Sequence, residues 1–209
     1  MSKETVRTRR LALSALLAAL VAVMQVLSYV IPVRPFNLAL VLIPIVVGAC
    51  LSGPRTGAML GGLFGVVVVI ASIAGLDAGG AILWQQNPVM TALICLLKGV
   101  AAGLVPGLIA AAFRKSGHPA AGCWVAGLAA PILNTGIFLA GMLLVFRDVL
   151  NSWGEAWAQT NMPGADTLSY VVFGLLGLNF LIEFVLNAVF APAIVRIVQA
   201  GQSITRREE

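Results

Sequence analysis

What limits this chain most is a series of apolar runs with almost no charge inside them. They lie near residues 11–31, 37–52, 56–76, 88–113, 120–147 and 169–199. Only 10% of the 209 residues are charged and 60% are hydrophobic, whereas soluble domains carry about a quarter charged residues. A helix needs roughly 20 apolar residues to cross a bilayer, so the length fits about six crossings with no separate soluble domain. The expectation is an all-α integral membrane six-helix bundle, forming one membrane domain over residues 1–209. The second run is short for a full span and is expected to be tilted, thin or partly irregular. Separators rich in Pro, Gly or charge divide the runs: "IPVRPFN", "SGPRTG", "LDAGGAILWQQNP", "FRKSGHP" and "RDVLNSWGEAWAQTNMPGADT".

An even number of crossings puts both termini on one side. Lys3, Arg7, Arg9, Arg10, Arg55, Arg114, Lys115, Arg206 and Arg207 would share that side. The other would hold Arg34 and Arg147 with Asp77, Asp148, Glu155 and Asp166. Basic residues gather on the cytoplasmic side of membrane proteins, so both termini are expected inside a multi-pass protein of the cell membrane. Trp84, Trp153 and Trp157 fall in the longer outer loops, where aromatic rings suit the interface. The net charge of +5 sits at segment ends. It therefore encodes topology, and no nucleic-acid partner is expected. The N-terminal apolar run is full-length and lacks a small-residue cleavage site, so it is read as a retained first span.

Catalysis finds little support. Cys50, Cys95 and Cys123 are scattered without CxxC spacing and are expected to be small buried residues, with neither a disulfide nor a metal site. His118 is the single histidine and sits beside Lys115 in a loop on the cytoplasmic side. No phosphate loop, zinc spacing or membrane-embedded nucleophile and base is present. The chain is not expected to be an enzyme or to hold a cofactor, and active uptake would need borrowed energy.

Small residues recur at helical spacing. Gly57, Gly61 and Gly65 in the third run, and Gly99, Gly103 and Gly107 in the fourth, repeat every four residues. Helices in lipid associate through close packing, so these glycines are expected inside the bundle. Ala12, Ala15, Ala19 and Ala22 stripe the first run. That stripe serves either internal packing or contact with another protein.

Polar groups inside the membrane are few, and they converge. Lys98 lies about 15 Å into the fourth run at 1.5 Å per residue. Glu183 lies at a comparable depth in the sixth, with Asn179 and Asn187 one turn to either side on the same face. Asn134 lies in the outer half of the fifth. An unpaired charge in the bilayer centre costs several kcal/mol, so such groups face a partner or a wet cavity. One reading is a structural Lys98–Glu183 ion pair with asparagines bonding between helices. The other is an outward-open cavity that binds a polar solute, below loops that supply Asn37, Trp84 and Asn87.

The stretches "FNLALVLIPIVVGACLSGPRTGAMLGGLFG", "PILNTGIFLAGMLL" and "NFLIEFVLNAVFAPAIV" together resemble the substrate-binding S-component of energy-coupling factor (ECF) transporters. The likeness covers most of the chain. The N-T-G stretch with the later N-x-x-x-E-x-x-x-N helix is its more specific part. It implies a six-helix protein that captures a vitamin or related micronutrient outside the cell. The partners it implies are a transmembrane coupling protein and two ATP-binding-cassette ATPases. It also implies that helices 1–3 dock on the coupling protein, through Ala15 and Ala19 or Ala18 and Ala22. Helices 4–6 and the outer loops would then bind substrate, with Lys98, Asn134 and Glu183 in the pocket. Lys98 favours a solute with a carboxylate or other anionic group. Two alternatives belong to other classes: a self-sufficient secondary carrier with Glu183 as its proton site, and a membrane scaffold subunit.

Overall fold

The computed structural model describes residues 3–29 and 40–207, and most of these are helical, with no strand among them. The order is α1 (Lys3–Ser28), α2 (Leu42–Ser52), α3 (Pro54–Ile73), α4 (Ala78–Gln86), α5 (Pro88–Lys115), α6 (Pro119–Leu144) and α7 (Arg147–Asn161). A single turn, α8 (Thr167–Ser169), leads into a π-helical segment, Tyr170–Gly177, and then α9 (Leu178–Arg207).

Among the described residues, five stretches are long and apolar enough to cross a membrane: Leu11–Ser28, Pro54–Ile73, Pro88–Lys115, Pro119–Leu144 and Thr167–Asn187. The second apolar run differs. Its helix α2 has 11 residues, a length of about 16 Å at 1.5 Å per residue, against a hydrocarbon core of about 30 Å. Nearly all of α2 is buried, including Leu42, Ile45, Val46, Val47, Ala49 and Cys50. It is a core helix surrounded by longer ones. The two longest separators also contain helices of their own, α4 and α7. Side-chain caps explain where α4 and α5 begin: Asp77 Oδ1 accepts from the Gly80 amide at 3.2 Å, and Asn87 Oδ1 accepts from the Met90 amide at 3.1 Å. Asp166 accepts from both the hydroxyl and the amide of Ser169, which hold its carboxyl below the usual carboxylate range.

The closest helix contact joins α3 to α5, and glycine makes it possible. The two helices run antiparallel in a register that opposes Gly57 to Gly103, Gly61 to Gly99 and Gly65 to Cys95. A Cβ added at Gly61 would strike the Gly99 carbonyl oxygen, and one added at Gly99 would strike that of Gly61. The Gly57–Gly103 pair is equally tight in both directions, and a Cβ at Gly65 would lie 2.7 Å from the Cys95 carbonyl oxygen. The backbones touch directly, so the gain is van der Waals contact over several turns. The sequence expectation for these glycines holds.

Around this pair the bundle has two apolar clusters. One gathers Leu17, Val46, Leu60, Phe64, Ala126 and Ile194 from α1, α2, α3, α6 and α9. The other gathers Leu83, Met142, Phe146, Leu150, Tyr170 and Leu175 from α4, α6, α7 and the π-helical segment. Leu17 and Val21 turn the inner face of α1 toward α2 and α3, while Ala12, Ala15 and Ala19 are exposed. Ala18 and Ala22 are half-buried, and Ala18 packs on the first cluster. At the far end of α2, the Arg114 guanidinium donates to the Cys50 carbonyl, a cation placed at a helix C-terminus where it is favourable.

The α3–α5 contact yields a direct test. Gly61→Leu must separate the two backbones, and overpacking of this kind costs about 1–3 kcal/mol or more. Its melting temperature should fall well below that of Gly62→Ala, where the new methyl meets only Val100 Cγ2 at 3.6 Å. Equal melting temperatures for the two purified variants would contradict the direct backbone contact.

Candidate functional site

A cavity of about 100 Å³ opens where the two apolar clusters meet. One water needs roughly 10–15 Å³, so the space has room for several waters or a small solute. Its polar wall is assembled from five elements: Gln25 of α1, Ser72 of α3, Thr91 and Lys98 of α5, Asn134 and Thr135 of α6, and Glu183 of α9. Asp77 adds a carboxylate from the α3–α4 junction. The apolar part includes Phe64, Val68, Leu83, Phe138, Leu175 and Phe180.

Local geometry explains the arrangement. Close contact at Gly61, Gly65 and Gly99 brings Phe64 against α5, so its ring lies 5.7 Å from Lys98 Nζ. The Phe138 ring of α6 lies 5.3 Å from the same nitrogen. An ammonium between two ring faces gains cation–π attraction, worth about 0.5–2 kcal/mol and more when water is excluded. Among the described residues, Lys98 is the one cation on this wall. Glu183 is only 4% exposed, Asn134 6% and Gln25 5%, depths at which unmatched polar atoms are costly. Gln25 Nε2 donates to the Tyr29 hydroxyl at 2.8 Å. Two hydroxyls are turned back on their own helices, Ser72 Oγ to the Val68 carbonyl and Thr91 Oγ1 to the Asn87 carbonyl. The π-helical segment before α9 contributes Leu175 and Leu176; π-helical turns occur often at functional sites.

The family model described as "ECF transporter, substrate-specific component" matches residues 9–195. The chain belongs to the ECF transporter substrate-specific component family. No individual curated protein matches it. As an S-component it is a multi-pass, substrate-specific membrane subunit of a transporter, in a family that is not one of enzymes. Membership implies association in the membrane with an ECF module, that is, a coupling component and ATPases.

Within this S-component, the residues singled out from the sequence fall into three groups. Lys98, Asn134 and Glu183 come together on the cavity wall from three helices. Asn187 is buried beneath it, with Nδ2 donating to the Glu183 carbonyl at 2.8 Å, and is not a lining residue. Trp84 is half-buried on α4 and Asn87 caps α5, and neither lines the cavity. Asn37 and the side chain of Asn179 lie outside the described residues. The cavity also takes residues that sequence reasoning passed over: Gln25, Phe64, Ser72, Asp77, Thr91 and Phe138. Gln25 carried a signal of the same kind as Asn134, a lone amide in an apolar run. Phe64 and Phe138 carried none, because a phenylalanine in a membrane helix looks alike whether it faces lipid or solute.

Proposed function

We propose that this S-component captures a vitamin or related micronutrient from outside the cell in the cavity around Lys98, Asn134 and Glu183, and delivers it through an ATPase-driven coupling module. The observation that carries this reading is the convergence of an ammonium, a carboxylate and buried amides on one cavity within a lipid-soluble bundle. A structural lock needs one matched pair, whereas these groups surround an open space large enough for a solute. The chain has no phosphate loop of its own, so the energy for uptake comes from the ATPases of the module.

In this proposal both termini are cytoplasmic and the cavity opens outward near Asp77. Gln25 and Asp77 share the cavity near one end of the bundle, whereas Cys50 meets Arg114 at the other. The proposal includes the sixth crossing expected from the sequence, which is what keeps both termini on one side. The exposed face of α1 at Ala15 and Ala19, with Ala18 and Ala22 at its edge, is the docking surface for the coupling protein. Small side chains there let a partner helix approach closely.

Three outcomes follow. With the solute bound by the Glu183 carboxylate, Glu183→Gln should weaken binding roughly tenfold to a hundredfold while folding is kept, since a lost buried hydrogen bond costs about 1–3 kcal/mol. Melting temperature and solute affinity for Glu183→Gln and Lys98→Met, singly and together, separate this from an ion-pair lock. A double variant that regains stability and binds normally would sink the pocket. Ala15→Trp or Ala19→Trp should block uptake in cells yet leave binding by the isolated subunit intact; loss of binding would return the stripe to internal packing. Finally, Gln159→Cys should react with an impermeant thiol reagent added outside intact cells, and Ser116→Cys should not. The reverse pattern would turn the cavity mouth toward the cytoplasm.

A further inference from the structure

The cavity wall is unequal in hydrogen-bonding sense. Gln25 Oε1 and Asn134 Oδ1 are buried acceptors with no hydrogen-bond partner among the described residues, and both residues line the cavity. The amide nitrogen of Gln25 is already engaged with Tyr29. Ser72 and Thr91 have committed their hydroxyl protons to the Val68 and Asn87 carbonyls, so only their oxygen lone pairs remain for a guest. Glu183 and Asp77 add carboxylates to the same lining. Against these acceptors stands Lys98, the one cation there among the described residues. A guest that leaves the amide oxygens unmatched carries the desolvation penalty of each.

Shape adds a second constraint. Phe64 and Phe138 hold the Lys98 ammonium at 5.7 and 5.3 Å from their ring centres, and Phe180 lines the same space. Aromatic faces favour a flat guest, which stacks or meets them edge-on with little lost freedom. An anionic or carbonyl group beside Lys98 meets a donor already held in place.

We infer that the solute is a flat nitrogen-bearing ring that offers N–H donors to Gln25 and Asn134 and an anionic or carbonyl group to Lys98. This rests on the proposed role of the cavity in solute capture and specifies the class of solute. Rings and aliphatic acids without hydrogen-bond donors leave the amide acceptors unmatched, and sugars, whose hydroxyls can donate, lack the flat body.

The test uses the full chain in lipid nanodiscs and four kinds of probe, with binding read by calorimetry. They are amino-substituted pyrimidine, pyridine and purine carboxylates; their dimethylamino analogues, which lack the N–H; the unsubstituted ring carboxylates; and a cyclohexane carboxylate bearing an amine. At least one amino-substituted ring should bind, and its dimethylamino and unsubstituted partners should bind at least about tenfold more weakly, the loss expected for one unmatched buried acceptor. Asn134→Asp keeps an acceptor and should preserve the preference for the amino ring. Asn134→Leu and Gln25→Leu should each reduce that preference, with folding checked by melting temperature. Equal affinity for amino and dimethylamino rings, loss of the preference in Asn134→Asp, tightest binding by the cyclohexane probe, or no binding by any amino-substituted ring would overturn the inference. Solute capture itself is read separately, from energised uptake and from the mass of any solute extracted from the purified protein. An aliphatic solute found there would leave capture standing while the flat donor-bearing class falls.

Discussion

Direct backbone contact between α3 and α5 is the constraint on which the rest of this bundle depends. Water does not drive helices together in lipid, so their attachment rests on how closely atoms can approach. Gly57, Gly61, Gly99 and Gly103 let the two backbones meet with no side chain of their own between them. That fixes the axial register of the two helices to one setting, because a shift by one residue would drive larger side chains into the opposing carbonyls. The register sets Phe64 beside Lys98, and with it the aromatic side of the cavity. Short buried α2 packs against both helices, and α1 lies on α2 and α3.

The polar groups of the cavity sit in an environment that would expel them singly. Lys98 sits against two ring faces that accept its charge and faces a cavity with room for water. Gln25, Asn134 and Glu183 approach from three different helices, so their convergence is a product of packing among α1, α6 and α9 rather than of any local motif. In the role proposed for this cavity, donors and acceptors already in place need not be ordered by a solute of matching chemistry. Membership of the ECF substrate-specific component family makes the chain a transporter subunit, and solute capture in this cavity is the role proposed for it.

Much of the architecture was legible in the chain itself. The apolar runs, the separators and the glycine spacing follow from local chemistry: a helix in lipid satisfies its own backbone, and a four-residue repeat occupies one face. Lys98, Asn134 and Glu183 could be found because a polar residue in hydrocarbon is rarely idle. The same rule reaches Gln25, but it says nothing of Phe64 and Phe138. The second run already read as short for a full span, but apolar composition alone could not tell that its helix α2 is buried among other helices rather than facing lipid. The helices α4 and α7 were hidden by turn-rich separators, whose Asp77 and Asn87 turn out to start helices rather than merely interrupt them.

The sequence by itself determined that this protein is helical, lies in a membrane, packs through glycine and carries a few polar groups at depth. Each of those properties is written in residue type and spacing along one helix. Only the tertiary structure decided which groups share a cavity: it brought Gln25 from α1 and the rings of Phe64 and Phe138 to Lys98, and put Asn187 beneath the wall and Trp84 away from it. The physical reason is that a cavity is defined between helices, by their register and rotation about one another. Those depend on contacts such as Gly61 against Gly99, which join residues far apart in the chain.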